Sequence, residues 1–451
     1  MTAPTKHFGS AMTPALIFLV QAFIVVALPV ALLRFSRLKG VVPLVVIQIV
    51  IGVALGPSLF GRLAPEYYQL FFNQAALAPL AGIGSVAVLV FGLITGLHLD
   101  PETFRRNGRA TSIVAAASVA VPAALGCVVG YWILARHPEE LAPGIRPVEF
   151  AAAVGICTGV TALPVLGAVL REMDLLGRRI GHLALGIAGI NDAVLWILLG
   201  VLLTAVAGQA AGGIGVILSL VLLPVYLLIM ARVVRPLLGW LVTCRMQNGE
   251  VQERALAVVG AVTIASALAT EAMGLHYILG AFVAGVVTPE KLRKPLLDRL
   301  QVMTVALLMP FFFMSTGLRM LIDPASTAFL EIFVAATAVA VIGKIGGSAI
   351  TARITGEAWP TALGLGALLQ TKGLMEVIVL TILRDAGIIS ANVFAALILM
   401  AVVSTALAMP LARLFLARAS RRCAAGAPSG AAGQLNAAAA ESLVPGNVMY
   451  D

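Results

Sequence analysis

Charge is scarce in this chain. Only 11% of its 451 residues are Asp, Glu, Lys or Arg, against 60% hydrophobic, and the mean hydropathy is +1.03. That balance excludes a soluble domain of this length and marks a polytopic membrane protein. Cysteine is also sparse. Cys127, Cys157, Cys244 and Cys423 have neither paired nor metal-ligand spacing, so no disulfide framework or structural metal is expected, and they read as small apolar fillers. There is no His/Glu metal motif and no nucleophile with a base beside it, so the chain reads as no enzyme and needs no cofactor. His98, His137, His182 and His276 fall at the ends of apolar runs or between them. The pI near 9.8 does not point to nucleic acid, because the basic residues are scattered among the polar connections rather than gathered in a patch.

What the chain has is long apolar runs. Hydropathy predicts thirteen spans, near 12–33, 41–60, 75–97, 110–135, 149–170, 181–206, 212–242, 254–270, 273–288, 301–321, 328–352, 359–383 and 390–417. The first is too long for a signal-peptide core and reads as a retained helix. With the N-terminus outside, 22 of the 30 Lys and Arg residues fall on the cytoplasmic side and six outside, while Lys344 and Lys372 lie within spans. That split supports thirteen spans in a multi-pass cell-membrane protein with a cytoplasmic C-terminus. Beyond about residue 420 the sequence is low in complexity and is expected to be a disordered cytoplasmic tail, 421–451.

Within LALGIAGINDAVLWILLGVLLTAVA (183–207) Asp192 is the only charge. A charge at the centre of such a helix costs at least about 2.5–3.5 kcal/mol on insertion scales, so it marks a functional site. A carboxylate there can hold a cation or a proton, and the amide of Asn191 stands next to it. Lys344 is isolated in another span, and Asp192 is the carboxylate at similar depth that could neutralise it. The fifth span carries Gly155, Gly159 and Pro164 around Thr158 and Thr161. Proline removes a helix hydrogen bond and glycine tolerates other conformations, so the helix is expected to unwind there, freeing carbonyls and hydroxyls for a cation. The twelfth span is its counterpart, with Gly364, Gly366, Gln370, Thr371 and Gly373. Lys372 and Glu376 lie one helical turn apart there and suit an ion pair. Arg319 and Asp323, at the end of the tenth span, read as a cap or a gate, the cap being favoured.

The chain also echoes itself. FGLITGLHLDP (91–101) is answered by FFMSTGLRMLIDP (312–324), and GVALGPSLFG (52–61) upstream of the first by GAFVAGVVTPE (280–290) upstream of the second. The two Thr-Gly-Leu segments leave their spans on opposite sides of the membrane, the mark of an inverted repeat.

These segments resemble a known family. FAAAVGICTGVTALPVLGAVLREMDLLGRRIGHLALGIAGINDAVLW, MPFFFMSTGLRMLID and LLQTKGLMEVIVLTILRDAGIIS are similar to three ordered signatures of the monovalent cation:proton antiporter superfamily, in the branch of Kef-type potassium efflux systems and plant cation/proton exchangers. The likeness covers roughly residues 12–417. It implies an all-α sodium/hydrogen exchanger-like domain, 1–420, with about thirteen helices, crossed discontinuous helices and an elevator-type mechanism in a homodimer. The implied parts are a core of about 109–206 and 328–417, a dimerisation part of about 12–108 and 243–327, and a linker helix of about 212–242. It further implies Asp192 as carrier of the monovalent cation or proton, Asn191, Thr158 and Thr161 beside it, and Lys344 as charge partner. Lys372, Glu376 and Thr371 are secondary candidates. Electrogenic relatives carry two adjacent acids where this chain has Asn191 and Asp192, so the expected cycle exchanges one Na+ or K+ for one proton without net charge. The alternatives are a Kef-like potassium efflux channel or transporter, or export of an organic cation or ionophore by proton antiport.

Overall fold

The computed structural model describes residues 13–35, 44–98, 108–210, 214–243, 253–320 and 326–425, and among them every regular element is helical. In chain order the helices are α1 (Pro14–Phe35), α2 (Leu44–Leu55), the short α3 (Phe60–Leu63) and α4 (Pro65–Phe72), α5 (Gln74–His98), α6 (Gly108–Arg136), α7 (Pro147–Gly159), α8 (Leu163–Glu172) and α9 (Arg179–Ala210). They continue with α10 (Ile214–Ile229), α11 (Arg235–Thr243), α12 (Glu253–Ala272), α13 (Tyr277–Val287), α14 (Glu290–Met303), α15 (Met309–Leu318), α16 (Thr327–Ile354), α17 (Trp359–Leu368), α18 (Leu374–Asp385) and α19 (Ala391–Ala425). One turn of π-helix joins α10 to α11 and another joins α14 to α15.

Nine of the expected spans are helices, or continuous helix pairs, long and apolar enough to cross a bilayer among the described residues. The second, fifth, ninth and twelfth are shorter or broken. Two boundaries differ from expectation. The tenth span starts at Glu290 rather than near 301, because the charged α14 buries Leu292 and Leu296 and runs on through the π turn into α15. The last helix reaches Ala425, so residues 421–425 of the expected tail are helical. The rest of the tail, and Asp323, lie outside the described residues.

The echoed segments meet crosswise. A Cβ added to Gly96 on α5 would stand 2.9 Å from Gly285 Cα on α13, and one added to Gly317 on α15 would stand 2.8 Å from Gly52 Cα on α2. Each Thr-Gly-Leu helix therefore packs backbone to backbone on the upstream glycine helix of the other half, an approach that only small residues allow in a membrane. A second bundle forms around α6, α7, α16, α17 and α19, with α9 packed on α6, α7 and α8. One face of α1, with Leu19 and Phe23, and one of α10–α11, with Leu228 and Trp240, are exposed.

Candidate functional site

The fifth and twelfth spans are both broken, and the breaks touch. α7 stops at Gly159, residues 160–162 are non-helical, and α8 resumes with Pro164 in its first turn, where a missing N–H costs nothing. α17 stops at Leu368, and α18 begins after Gly373, whose φ of +123° is open to glycine. Gly364 and Gly366, expected to help unwind this span, lie inside α17. There they let Leu416 and the Ile345 backbone come close. The Ala162 amide donates to Thr371 O at 2.8 Å, and the Thr161 hydroxyl donates to Leu369 O at 3.0 Å.

Each break exposes helix ends, and buried side chains answer them. The last carbonyls of α7 have no partner within the helix and form the negative end of its dipole. Lys372 Nζ donates to Cys157 O at 2.6 Å and to Thr158 O at 3.1 Å, and Lys344 Nζ donates to Gly159 O. The Thr371 hydroxyl caps Leu368 O of α17 at 3.0 Å. Glu376 sits in the first turn of α18, where a negative charge is favoured, and pairs with Lys372 at 3.2 Å. Lys344, Lys372 and Glu376 are all fully buried. The expected Lys372–Glu376 pair is thus present, with a second task at the end of α7.

Asn191 and Asp192 face these breaks from the middle of α9. Asn191 Nδ2 donates to Ser118 Oγ on α6 at 2.9 Å and to Thr161 Oγ1 at 3.2 Å. Asp192 is 1% exposed, and neither of its carboxylate oxygens has a hydrogen-bond partner. The expected direct ion pair with Lys344 is not formed. The Lys344 ammonium is directed instead at the Gly159 carbonyl. Thr158 turns its hydroxyl to Pro122 O and Gly155 O, both at 2.9 Å, and offers the break only its carbonyl. Ser118, Thr405 (which accepts the Lys372 amide at 3.0 Å) and the orphaned amide of Gln370 complete the surroundings. Of these three, the sequence points only to Gln370, and only as part of an interrupted span.

A carboxylate buried without a hydrogen bond is costly as a bare anion, so it is stable only with a proton or a cation upon it. The donors of Lys344 and Lys372 are spent on helix ends and on Glu376, and both carboxylate oxygens of Asp192 are left without one. A cavity of about 530 Å³ lies between α5, α13, α15 and α18, lined by Ser85, Tyr277, Ser315, Arg319, Thr381 and Asp385 among others. Arg319 stands at the C-cap of α15 and reaches Asp385 at 3.9 Å. Another cavity, of about 650 Å³, lies at the opposite ends of α6, α9 and α16, beside the 2.5 Å pair of Arg179 and Glu357. Asp192 lines neither.

Known proteins resemble this chain in sequence and in fold. The chain is 29% identical over 377 residues to cation/H(+) antiporter 19 of Arabidopsis thaliana, covering 82% of this chain and 46% of that protein. It is 28% identical over 418 residues to K(+)/H(+) antiporter 1 of Saccharomyces cerevisiae, covering 90% and 47%. It therefore spans about half the length of these relatives. With the Na(+)/H(+) antiporter NhaS4 of Synechocystis it shares 29% identity over 386 residues, covering 84% of this chain and 92% of that one. The structure of the sodium proton antiporter MjNhaP1 from Methanocaldococcus jannaschii matches in fold with a TM-score of 0.54 at 13% identity, over 88% of this chain and 96% of that one. The profile of the sodium/hydrogen exchanger transmembrane family matches residues 24–415, and the chain belongs to that family.

Proposed function

We propose that the chain forms the membrane part of a secondary antiporter that exchanges a monovalent cation, Na+ or K+, for a proton. The observation that carries this reading is the Asp192 carboxylate, buried and unpartnered beside two broken helices whose own ends are already neutralised. Cation and proton compete for that one group, so each can leave only as the other arrives, which couples their movements. Of the relatives named above, the yeast protein is described as a K+/H+ antiporter and the Synechocystis protein as a Na+/H+ antiporter, which leaves both cations open for this chain.

The finer reading follows the resemblance. Thirteen crossings with the N-terminus outside, arranged as inverted repeats, fit the crosswise Gly96–Gly285 and Gly52–Gly317 contacts. The core, about 109–206 and 328–417, carries Asp192 and moves against the part formed by about 12–108 and 243–327. The outward apolar faces of α1 and α10–α11 suit lipid and a second copy in a homodimer in the cell membrane. The test is proteoliposome exchange with Na+, K+, Li+ and Rb+ against an imposed pH gradient. Wild-type protein should show pH-driven flux of at least one of them, and Asp192→Asn should abolish it while remaining folded. Flux of wild-type size in that variant would defeat the reading.

A further inference from the structure

Asp192 and Gln370 share a property. Among the described residues they are the two side chains whose paired terminal polar atoms are all buried without a hydrogen-bond partner. Gln370 is fully buried in the second break, between groups that are committed: Leu369 O takes the Thr161 hydroxyl, and Thr371 O takes the Ala162 amide. A primary amide has two donor hydrogens and two acceptor lone pairs. Leaving them unmet in a dry interior costs more than an apolar side chain of similar size would. Gln21, the other buried glutamine with an orphaned atom, at least spends its nitrogen on Phe71 O.

The segments that carry Gln370 and Asp192 are tied to each other. Thr161 Oγ1 lies 3.0 Å from Leu369 O and 3.2 Å from Asn191 Nδ2, so the residues before Gln370 and before Asp192 are bridged by one hydroxyl. A dehydrated monovalent cation needs several oxygens to replace its hydration shell, and one carboxylate supplies at most two. We infer that Gln370 is a ligand of the transported cation. Its Oε1 completes a shell whose charged member is Asp192, and the length of its side chain selects which dehydrated ion fits. This rests on the antiporter reading above.

The test uses the purified full chain with Gln370→Met, which keeps the length and removes the polar atoms. Thermal unfolding in detergent is measured in choline chloride, NaCl and KCl, and the cation KM is measured in proteoliposomes. In choline chloride the variant should melt no lower than wild type. It should lose most of the cation-dependent rise in melting temperature and show a cation KM raised about tenfold, the effect of losing one polar ligand. A lower melting temperature in choline chloride with unchanged KM would make Gln370 a structural residue and overturn the inference. Gln370→Asn keeps the amide one methylene shorter and should change the order of preference among Na+, K+ and Rb+; an unchanged order also overturns it. If wild type itself exchanges none of these ions, the antiporter reading fails. If wild type exchanges normally and both variants match it, only the role of Gln370 fails.

Discussion

Asn191 has two amide hydrogens, and both are spent, one on Ser118 and one on Thr161. It therefore fixes the midpoint of α9 to α6 and to the first break, and Thr161 carries that tie to α17 through Leu369 O. Thr161→Val removes the bridge and leaves a buried N–H and a buried carbonyl unmet, at about 1–3 kcal/mol. Its melting temperature should fall and its cation KM should rise together. Thr158→Val should lower stability alone, because that hydroxyl bonds Pro122 O and Gly155 O, away from the carboxylate. A raised KM in Thr158→Val at wild-type stability would bring the Thr158 hydroxyl back as a cation ligand. Lys344→Gln separates charge from capping. Its amide can still donate to Gly159 O, but it brings no positive charge to the neighbourhood of the carboxylate. The cation then meets less competition for the carboxylate, and KM should fall. An unchanged KM would show that the two residues act independently.

Among the helices, the joined breaks depend on Lys372. Its ammonium closes the end of α7 and neutralises Glu376, all fully buried. Removing one member of a buried pair costs about 3–5 kcal/mol, far more than replacing both. Lys372→Met should therefore unfold well below wild type in detergent. Lys372→Met with Glu376→Leu should recover part of that loss, though not the part due to the uncapped Cys157 and Thr158 carbonyls. No recovery in the double variant would show that capping α7, rather than the ion pair, is the main role of Lys372. The first break was legible in the sequence because Gly159 and Pro164 bracket it and each breaks a helix by its own chemistry. The second was legible only as a region. Gly364 and Gly366 looked like Gly373, yet a glycine that admits a neighbouring helix and a glycine that adopts positive φ are the same letter. Hydropathy likewise gave the depth of Lys344 and Asp192 but not their direction around the helix axis, so the inference of a direct pair missed the nearer Gly159 carbonyl. Ser118 gave no signal, since one hydroxyl in an apolar span usually bonds its own helix. It also does that here, at Ala115 O.

Across the whole molecule, polar contacts tie the two halves of the core together at both ends. Glu331 on α16 meets Arg136 and His137, each at 3.2 Å. Asn392 on α19 donates to Glu140 at 2.9 Å, and at the opposite end Arg179 meets Glu357. Singly, the exposed pairs contribute about 0–1 kcal/mol. Together with the joined breaks they tie α6–α9 to α16–α19; in the antiporter cycle proposed above these helices would move as one body, and a body carries all its charges when it moves. Lys372 and Glu376 cancel. Lys344, if it stays protonated, crosses in both directions and sums to zero over a cycle. In the proposed cycle Asp192 is neutralised by one cation on one passage and by one proton on the other, and Asn191 cannot take a second proton. Exchange should therefore be one for one and move no net charge. In proteoliposomes clamped by K+ and valinomycin at several potentials, the Na+ gradient at which Na+/H+ exchange stops should equal the opposing proton gradient and should not move with potential. A stopping point that shifts with potential, or a steady transport current on a solid-supported membrane, would mean that Lys344 or Glu376 also cycles a proton. Asn191→Asp is the companion measurement. It places a second acid between Ser118 and Thr161, and the stopping point should become voltage-dependent if that acid takes up its own proton. If it stays ionised and unpaired, only the melting temperature should fall.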